Sequence, residues 1–280
     1  MPIRIAGQGS EGNFHILLDR QSALDIAAFV VDGFDLSPGE AIPSDGDPRI
    51  DHALKGFLFT CGPDHIRHPE TLDGGGGLYP LHGSLAGTPV LESEIAGPEQ
   101  APGCRAIIEC DLAGGGRARL ERHWRVNTAL GAVHLQDRVT NIGDDAFAPM
   151  MMYHINLGGW LMGAETEIIA DAFAGQARPW RLGEGESAHF CVPAAGVDGW
   201  SEITLGPFHA LSDRSLHVRF ATATLPFLQM WRCERGDANV VSIEPVSHRI
   251  AKRPALAAAG EMPLLHPTES ITYELAFRVA

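Results

Sequence analysis

Two imidazoles and a carboxylate occupy chemically unusual places in this chain. His82 lies in Tyr79-Pro80-Leu81-His82-Gly83, just after a glycine-rich stretch and just before a glycine that would let another group approach closely. His154 and Asn156 form a polar pair within the otherwise apolar run from Met150 to Leu157, and such a pair is costly to bury without partners. Glu244 follows Val240-Val241-Ser242-Ile243 and precedes Pro245, which is expected to stop the strand and leave the carboxylate at a sheet rim. An imidazole that titrates near ambient pH and an ionised carboxylate are suited to general acid and base work. The same two histidines and one glutamate would equally form a facial metal-binding set, as in a metal-dependent isomerase, lyase or oxygenase. Taken singly, each also fits a structural role: a turn residue, a satisfied core histidine and a solvated strand end.

Other reactive groups are less suggestive. His65 and His68 form an H-x-x-H beside Asp64, but no helix is expected there to bring them onto one face. Ser10, Ser84 and Ser242 lack the strand-turn-helix setting of a nucleophile elbow, so a serine hydrolase is not expected. Cysteines 61, 104, 110, 191 and 233 are odd in number and contain no C-x-x-C pair, which reads as reduced, mostly buried thiols. The runs Asp73 to Gly77 and Gly114 to Gly116 have neither the spacing nor the strand-to-helix context of a phosphate loop and read as turns.

The elements that must position these groups are strands. Ile271, Tyr273, Leu275, Phe277 and Val279 alternate with polar residues, and Arg117 to Val126 repeats that period of two, with Arg122 breaking the apolar face. Val133 to Val139 alternates as well, and the link 128–131 between these two runs suggests a hairpin. Further strands are expected at His15 to Leu18, Ala23 to Val31, Ala106 to Leu112, Met150 to Ile155, Glu167 to Ala170, Leu216 to Ala223 and Asn239 to Ile243. At least nine strands joined by glycine- and proline-rich turns, with no long amphipathic helix, predict an all-β fold of two large packed antiparallel sheets forming one unit over residues 1–280.

With 45% hydrophobic residues, the 280-residue chain can bury a sizeable core. Lys and Arg total 21 against 35 Asp and Glu, a net charge of −14, and the basic residues form no patch, so nucleic acid is not an expected partner. No apolar run approaches the ~20 residues of a membrane span. The N-terminal residues lack a secretory pattern, so the cytoplasm is the expected location.

These features together resemble the galactose mutarotase-like, or aldose 1-epimerase, superfamily, and specifically a shorter bacterial branch of it. Thr140-Asn141-Ile142-Gly143 through Pro149 to His154-Ile155-Asn156-Leu157 is similar to that family's Asn-x-Gly turn, proline, then His and Asn-Leu. Leu81-His82-Gly83 resembles its first histidine motif and Ile243-Glu244-Pro245 its catalytic-glutamate strand. Leu24-Asp25-Ile26, Phe59-Thr60-Cys61-Gly62 and Pro226 to Arg232 extend the resemblance over nearly the whole chain. The longer enzymes' His-x-Tyr-Phe-Asn-Leu is absent, since Ile155 and Asn156 directly follow His154, and their sugar-binding aspartate has no assigned position.

The resemblance implies a β-sandwich that interconverts the α and β anomers of a free or modified sugar. Glu244 would be the base at the C1 hydroxyl, His154 the acid at the ring oxygen, and His82 a hydrogen-bonding partner of that oxygen or a nearby hydroxyl. Asn156 and Arg232 would bind hydroxyls or an acidic group, and Trp231 would offer an apolar platform. Arg67, Arg232 or Arg249 would replace the family's early arginine. No metal or other cofactor is required, and the expected partner is a small carbohydrate. A protein that kept the pocket but lost turnover is the alternative.

Overall fold

A computed structural model describes residues 1–9, 12–44, 46–97 and 101–280 of the chain. Two antiparallel sheets of nine strands each face one another. The first runs in the order Ile3–Gly9, Gly12–Asp19, Asp25–Val31, Leu58–Cys61, Met152–Gly158, Val240–Val246, Phe227–Cys233 and Ser187–Pro193, with Phe34–Asp35 paired beside the third. The second runs Ala177–Pro179, Glu167–Ala170, Trp200–Phe208, Arg214–Ala221, Ser270–Val279, Ala132–Asn141, Arg117–Asn127, Gly103–Asp111 and Glu92–Ile95.

The second sheet is where alternation was expected, and it is found there. Along Arg117–Asn127 the even-numbered residues are buried and the odd-numbered ones half-buried or exposed, and the hairpin closes with Asn127 opposite Ala132. Its buried face, including Leu120, Trp124, Leu135, Leu275 and Phe277, packs against Ile16, Phe29, Tyr153, Ile155 and Ile243 of the first sheet. Each fully buried side chain of this kind stabilises by roughly 1.5–3 kcal/mol. Arg122 enters this core with no exposed surface. Its guanidinium is met by Asp137 at 2.6 Å, Asp25 at 2.7 Å and the Thr60 hydroxyl at 2.7 Å, and Tyr153 donates to Asp137. The side chain that breaks the apolar stripe therefore ties the two sheets together, its charge matched inside.

The first sheet differs because its middle strands are covered on both faces. Every residue of Met152–Gly158 and Val240–Val246 is buried. The face away from the sandwich core lies under loops and the short helices Asp51–Leu54 and Arg253–Ala258, where Ile50, Leu54, Ile66, Leu81 and Leu256 form a second apolar cluster with Phe59, Met152 and Val246. The site lies between this sheet and that layer.

Two sequence expectations need correction. The strand expected from Ala23 begins at Asp25, since Ala23 and Leu24 hold φ of 44° and 59°, outside the extended region. The strand carrying Glu244 does not stop there: it continues through Pro245 to Val246, and Glu244 is 1% exposed within the sheet rather than at a rim. Pro245 pairs with Leu228 on one side, while on the other the ladder passes from Met152↔Val246 to Ile155↔Ile243. A proline brings no N–H, and the gap in hydrogen bonding falls beside Tyr153 and His154. All five cysteines are free thiols, four of them buried. No helix among the described residues is long and apolar enough to cross a membrane.

Candidate active site

Alternation along four neighbouring strands gathers the site. Phe59 pairs with His154, the register Met152↔Val246 and Ile155↔Ile243 sets His154 opposite Glu244, and Glu244 pairs with Gln229. This row lies on the face turned away from the sandwich core. One step along, Asn156 pairs with Ser242, Ser242 with Trp231, and Trp231 with His189. Residues two apart share a face, so Trp231 joins Gln229 while Arg232 must point the other way.

The polar groups form a continuous chain. Asn156 donates from Nδ2 to the carbonyls of Leu54 at 3.0 Å and Gly56 at 3.4 Å, which turns its Oδ1 toward His154 Nδ1 and the Ser242 hydroxyl. An acceptor at that position requires the proton of His154 to sit on Nδ1, leaving Nε2 as the nitrogen that exchanges protons. His154 Nε2 lies 3.2 Å from Glu244 Oε1. That separation is within ion-pair reach but out of hydrogen-bond alignment, and Oε1 has no protein hydrogen-bond partner among the described residues. Gln229 Nε2 donates to the other oxygen, Oε2, and Gln229 Oε1 accepts from Arg67 Nη2 at 3.0 Å. Arg67 Nη2 also donates to the His248 carbonyl at 2.9 Å. Burial holds the Arg67 guanidinium below the usual arginine range, partly offset by the Cys191, Glu244 and Cys61 side chains.

His82 reaches the same place from a loop. Its backbone is left-handed, with φ of 59°, and is tied by N–H to Arg67 O and by its carbonyl to Gly62 N–H, both at 2.9 Å. Arg49 fixes the carbonyls on either side, donating to Leu81 O at 2.6 Å and Gly83 O at 3.2 Å, and it also donates to Ala86 O. Gly83, at φ of 87°, passes so close to neighbouring backbone that an added Cβ would lie 2.1 Å from His65 O. The His82 ring stands edge-on to His154, centroids 6.1 Å apart, and Trp231 approaches His154 from another side at 5.9 Å.

A cleft of about 290 Å³ opens over this row, lined by Arg67, His68, His82, Met152, His154, His189, Gln229, Trp231 and Glu244, with Ile42, Pro43, Leu54, Ile66 and Ile250 as apolar wall. Its size sits at the small end of small-molecule sites, which run from ~300 Å³ upward.

Of the residues singled out in the sequence, His82, His154, Glu244, Trp231 and Arg67 come together here. Asn156 does not reach the cleft: it is fully buried, and both ends of its amide are engaged in holding His154. Arg232 is on the opposite face, donating to the carbonyls of Leu182 and Gly185 and to Glu234 at 2.5 Å. Arg249 pairs with Glu261 outside the cleft wall, which leaves Arg67 as the arginine at the site. Gln229 was missed, although its place two residues before Trp231 puts it on the same face.

The remaining histidine and serine candidates are held elsewhere. The His65 ring donates from Nε2 to the His68 carbonyl, 2.7 Å away, and stacks on Tyr79. Ser84 donates to Asp64 and Ser242 to Asn156, while Ser10 lies outside the described residues. Among the described residues no three His, Cys, Asp or Glu side chains are gathered as metal ligands.

The two-layer antiparallel sandwich is a galactose mutarotase-like fold. The chain belongs to the family described as domain of unknown function DUF4432, whose pattern matches residues 3–279. A candidate aldose 1-epimerase from Klebsiella pneumoniae superposes with a TM-score of 0.76 at 17% identity, over 97% of this chain and 77% of that one. A galactose mutarotase related enzyme from Lactobacillus acidophilus gives a TM-score of 0.66 at 12% identity, over 100% and 97%. The aldose epimerase homologue from C. elegans gives 0.62 at 13% identity, over 100% and 99%. At such identities the likeness is one of fold. No curated protein matches the chain.

Proposed function

We propose that this protein is a carbohydrate isomerase of the aldose 1-epimerase type, exchanging the anomers of a small free or modified sugar. The observation that carries this reading is the His154–Glu244 pair: two proton-transfer groups opposite one another on adjacent strands, 3.2 Å apart, at the floor of a monosaccharide-sized cleft. Mutarotation needs a base at the C1 hydroxyl and an acid at the ring oxygen, and no covalent intermediate. Glu244 Oε1, without a hydrogen-bond partner among the described residues, takes the C1 hydroxyl proton. His154 gives its Nε2 proton to the ring oxygen as the C1–O5 bond breaks. The open aldehyde turns about C1–C2. On closure Glu244 returns its proton to the former carbonyl oxygen and His154 recovers one from the C5 hydroxyl, so both groups end as they began. His82 hydrogen-bonds the ring oxygen or a neighbouring hydroxyl, and Trp231 supplies an apolar wall for the sugar's C–H face.

The similarity to proteins named for aldose epimerase and mutarotase supports this reading. The five free thiols support a reducing compartment, which we take to be the cytoplasm. Anomeric exchange measured by saturation-transfer NMR over aldoses, deoxysugars and uronic acids tests the proposal. Exchange faster than in buffer is expected for at least one sugar. Binding without acceleration across the panel would mean a sugar-binding protein instead.

A further inference from the structure

The fully buried arginines of this protein have carboxylate partners. Arg122 reaches Asp137 and Asp25, Arg232 reaches Glu234, and Arg253 reaches Asp73, all within 2.7 Å. Arg67, on the cleft wall, reaches none. Nη2 uses its two protons on the Gln229 amide and the His248 carbonyl, and among the described residues no acceptor meets Nε or Nη1. Three of five guanidinium N–H groups are thus left over: one on Nε, which is buried, and two on Nη1, which can give a charge-assisted hydrogen bond to an acidic oxygen in the cleft.

The nearest candidate counter-charge is kept apart from it. Gln229 stands between Arg67 and Glu244, accepting from the one through Oε1 and donating to the other through Nε2, so the catalytic carboxylate does not occupy the guanidinium. Glu244 is also the one carboxylate among the residues lining the cleft, which otherwise carries Arg67 and the imidazoles of His68, His82, His154 and His189. In a chain with a net charge of −14, this pocket is locally poor in acid. A half-buried cation on a cleft wall, without a carboxylate partner, favours a ligand that brings negative charge.

Building on the epimerase reading above, we propose that the substrate is a monosaccharide bearing an anionic group, a carboxylate or a phosphate, and that Arg67 is the residue that selects it. The cleft volume of about 290 Å³ suits one sugar ring with one small acidic substituent rather than an oligosaccharide. Hydrogen bonds to charged groups contribute enough to set a preference of about tenfold or more over the neutral parent sugar.

Anomeric exchange and ligand-observed NMR binding, run side by side on glucose, galactose, glucuronate, galacturonate and glucose 6-phosphate, test this with the native protein, Arg67→Gln and Arg67→Lys. The expected result is an anionic-over-neutral preference of about tenfold or more in kcat/KM, carried mainly by KM. It should collapse toward unity in Arg67→Gln and be partly restored in Arg67→Lys. Preference for the uronates identifies a sugar acid, and preference for the phosphate a sugar phosphate. Equal handling of neutral and anionic sugars, or a preference that survives in a folded Arg67→Gln, would overturn the proposal. If no sugar is exchanged the epimerase reading fails by itself. The binding arm still decides this one: Arg67-dependent retention of anionic sugars upholds it, and its absence refutes it.

Discussion

In the proposed reaction, the nitrogen of His154 that handles the proton is decided by a side chain that never meets the cleft. Asn156 is anchored through Nδ2 by two backbone carbonyls, and only its oxygen is left to face His154 Nδ1. This is a positioning role, and it predicts a particular kinetic signature. Asn156→Leu, similar in volume, should lower kcat by roughly 10–100-fold, the range seen when a partner that orients an imidazole is lost. It should also displace the alkaline limb of the pH–rate profile, where His154 must keep its proton, while changing KM little. An unaltered pH profile in a folded variant would show that the tautomer is set elsewhere. Asn156 was expected at the sugar and lies beneath the cleft instead, because a polar residue two positions from His154 shares its face but not its depth. Parity was enough to separate Trp231 from Arg232, had the strand Phe227–Cys233 been recognised. It would have exposed Gln229 as well.

That strand was not recognised for a reason it shares with the middle of the site sheet. Strands of the second sheet have one face toward solvent, and their sequences alternate. Leu58–Cys61, Met152–Gly158 and Val240–Val246 are covered on both faces, so buried residues follow one another without a period. The strands carrying His154 and Glu244 were expected at Met150 to Ile155 and Asn239 to Ile243 and are found there, while their neighbours Leu58–Cys61 and Phe227–Cys233, lacking a period of two, were not read as strands. The proline after Glu244 misled in a related way. A proline suggests a strand end, but here the missing N–H falls where the ladder is already open beside His154. At the scale of the loop that delivers His82, the constraint is steric. Gly83→Ala places a Cβ 2.1 Å from His65 O and 2.4 Å from Gly62 O, at a φ of 87°. The variant should lose roughly 2–4 kcal/mol of stability in denaturant titration, from clash and backbone strain together. Wild-type stability in that variant would mean the loop is not held as described.

Across the whole molecule, two interfaces divide the work. The sandwich core, stitched by Arg122 with Asp25 and Asp137, supports the sheet from behind. The apolar layer under the loops and short helices supports it in front, and His248 is part of that layer at 6% exposure. Its ring takes the Ser247 hydroxyl at Nδ1 and donates from Nε2 to the Glu261 carbonyl. Burial, reinforced by Arg67 and Arg253 against the opposing Glu261, pushes its pKa down to about 4. The unfolded chain would bind that proton near pH 6.5, so between these values the unfolded state carries more protons and stability falls as the pH falls. The contribution is complete above pH 6.5 and gone near pH 4, about 3 kcal/mol in all. Burial also lowers His15, His65, His123, His134 and His217, which act in the same direction. Urea titrations from pH 7 to pH 4 should show this loss, and His248→Gln should flatten the largest part of it. A stability independent of pH over that range would contradict the buried, neutral imidazole.

The central claim is that Glu244 removes the anomeric proton. Glu244→Gln is nearly isosteric, and its amide cannot serve as a base. With a sugar that the native protein exchanges, saturation-transfer NMR should show that the variant's rate falls by roughly 10²–10⁴-fold while its fold and its sugar binding persist. Turnover at the native rate in a correctly folded Glu244→Gln protein would contradict the account.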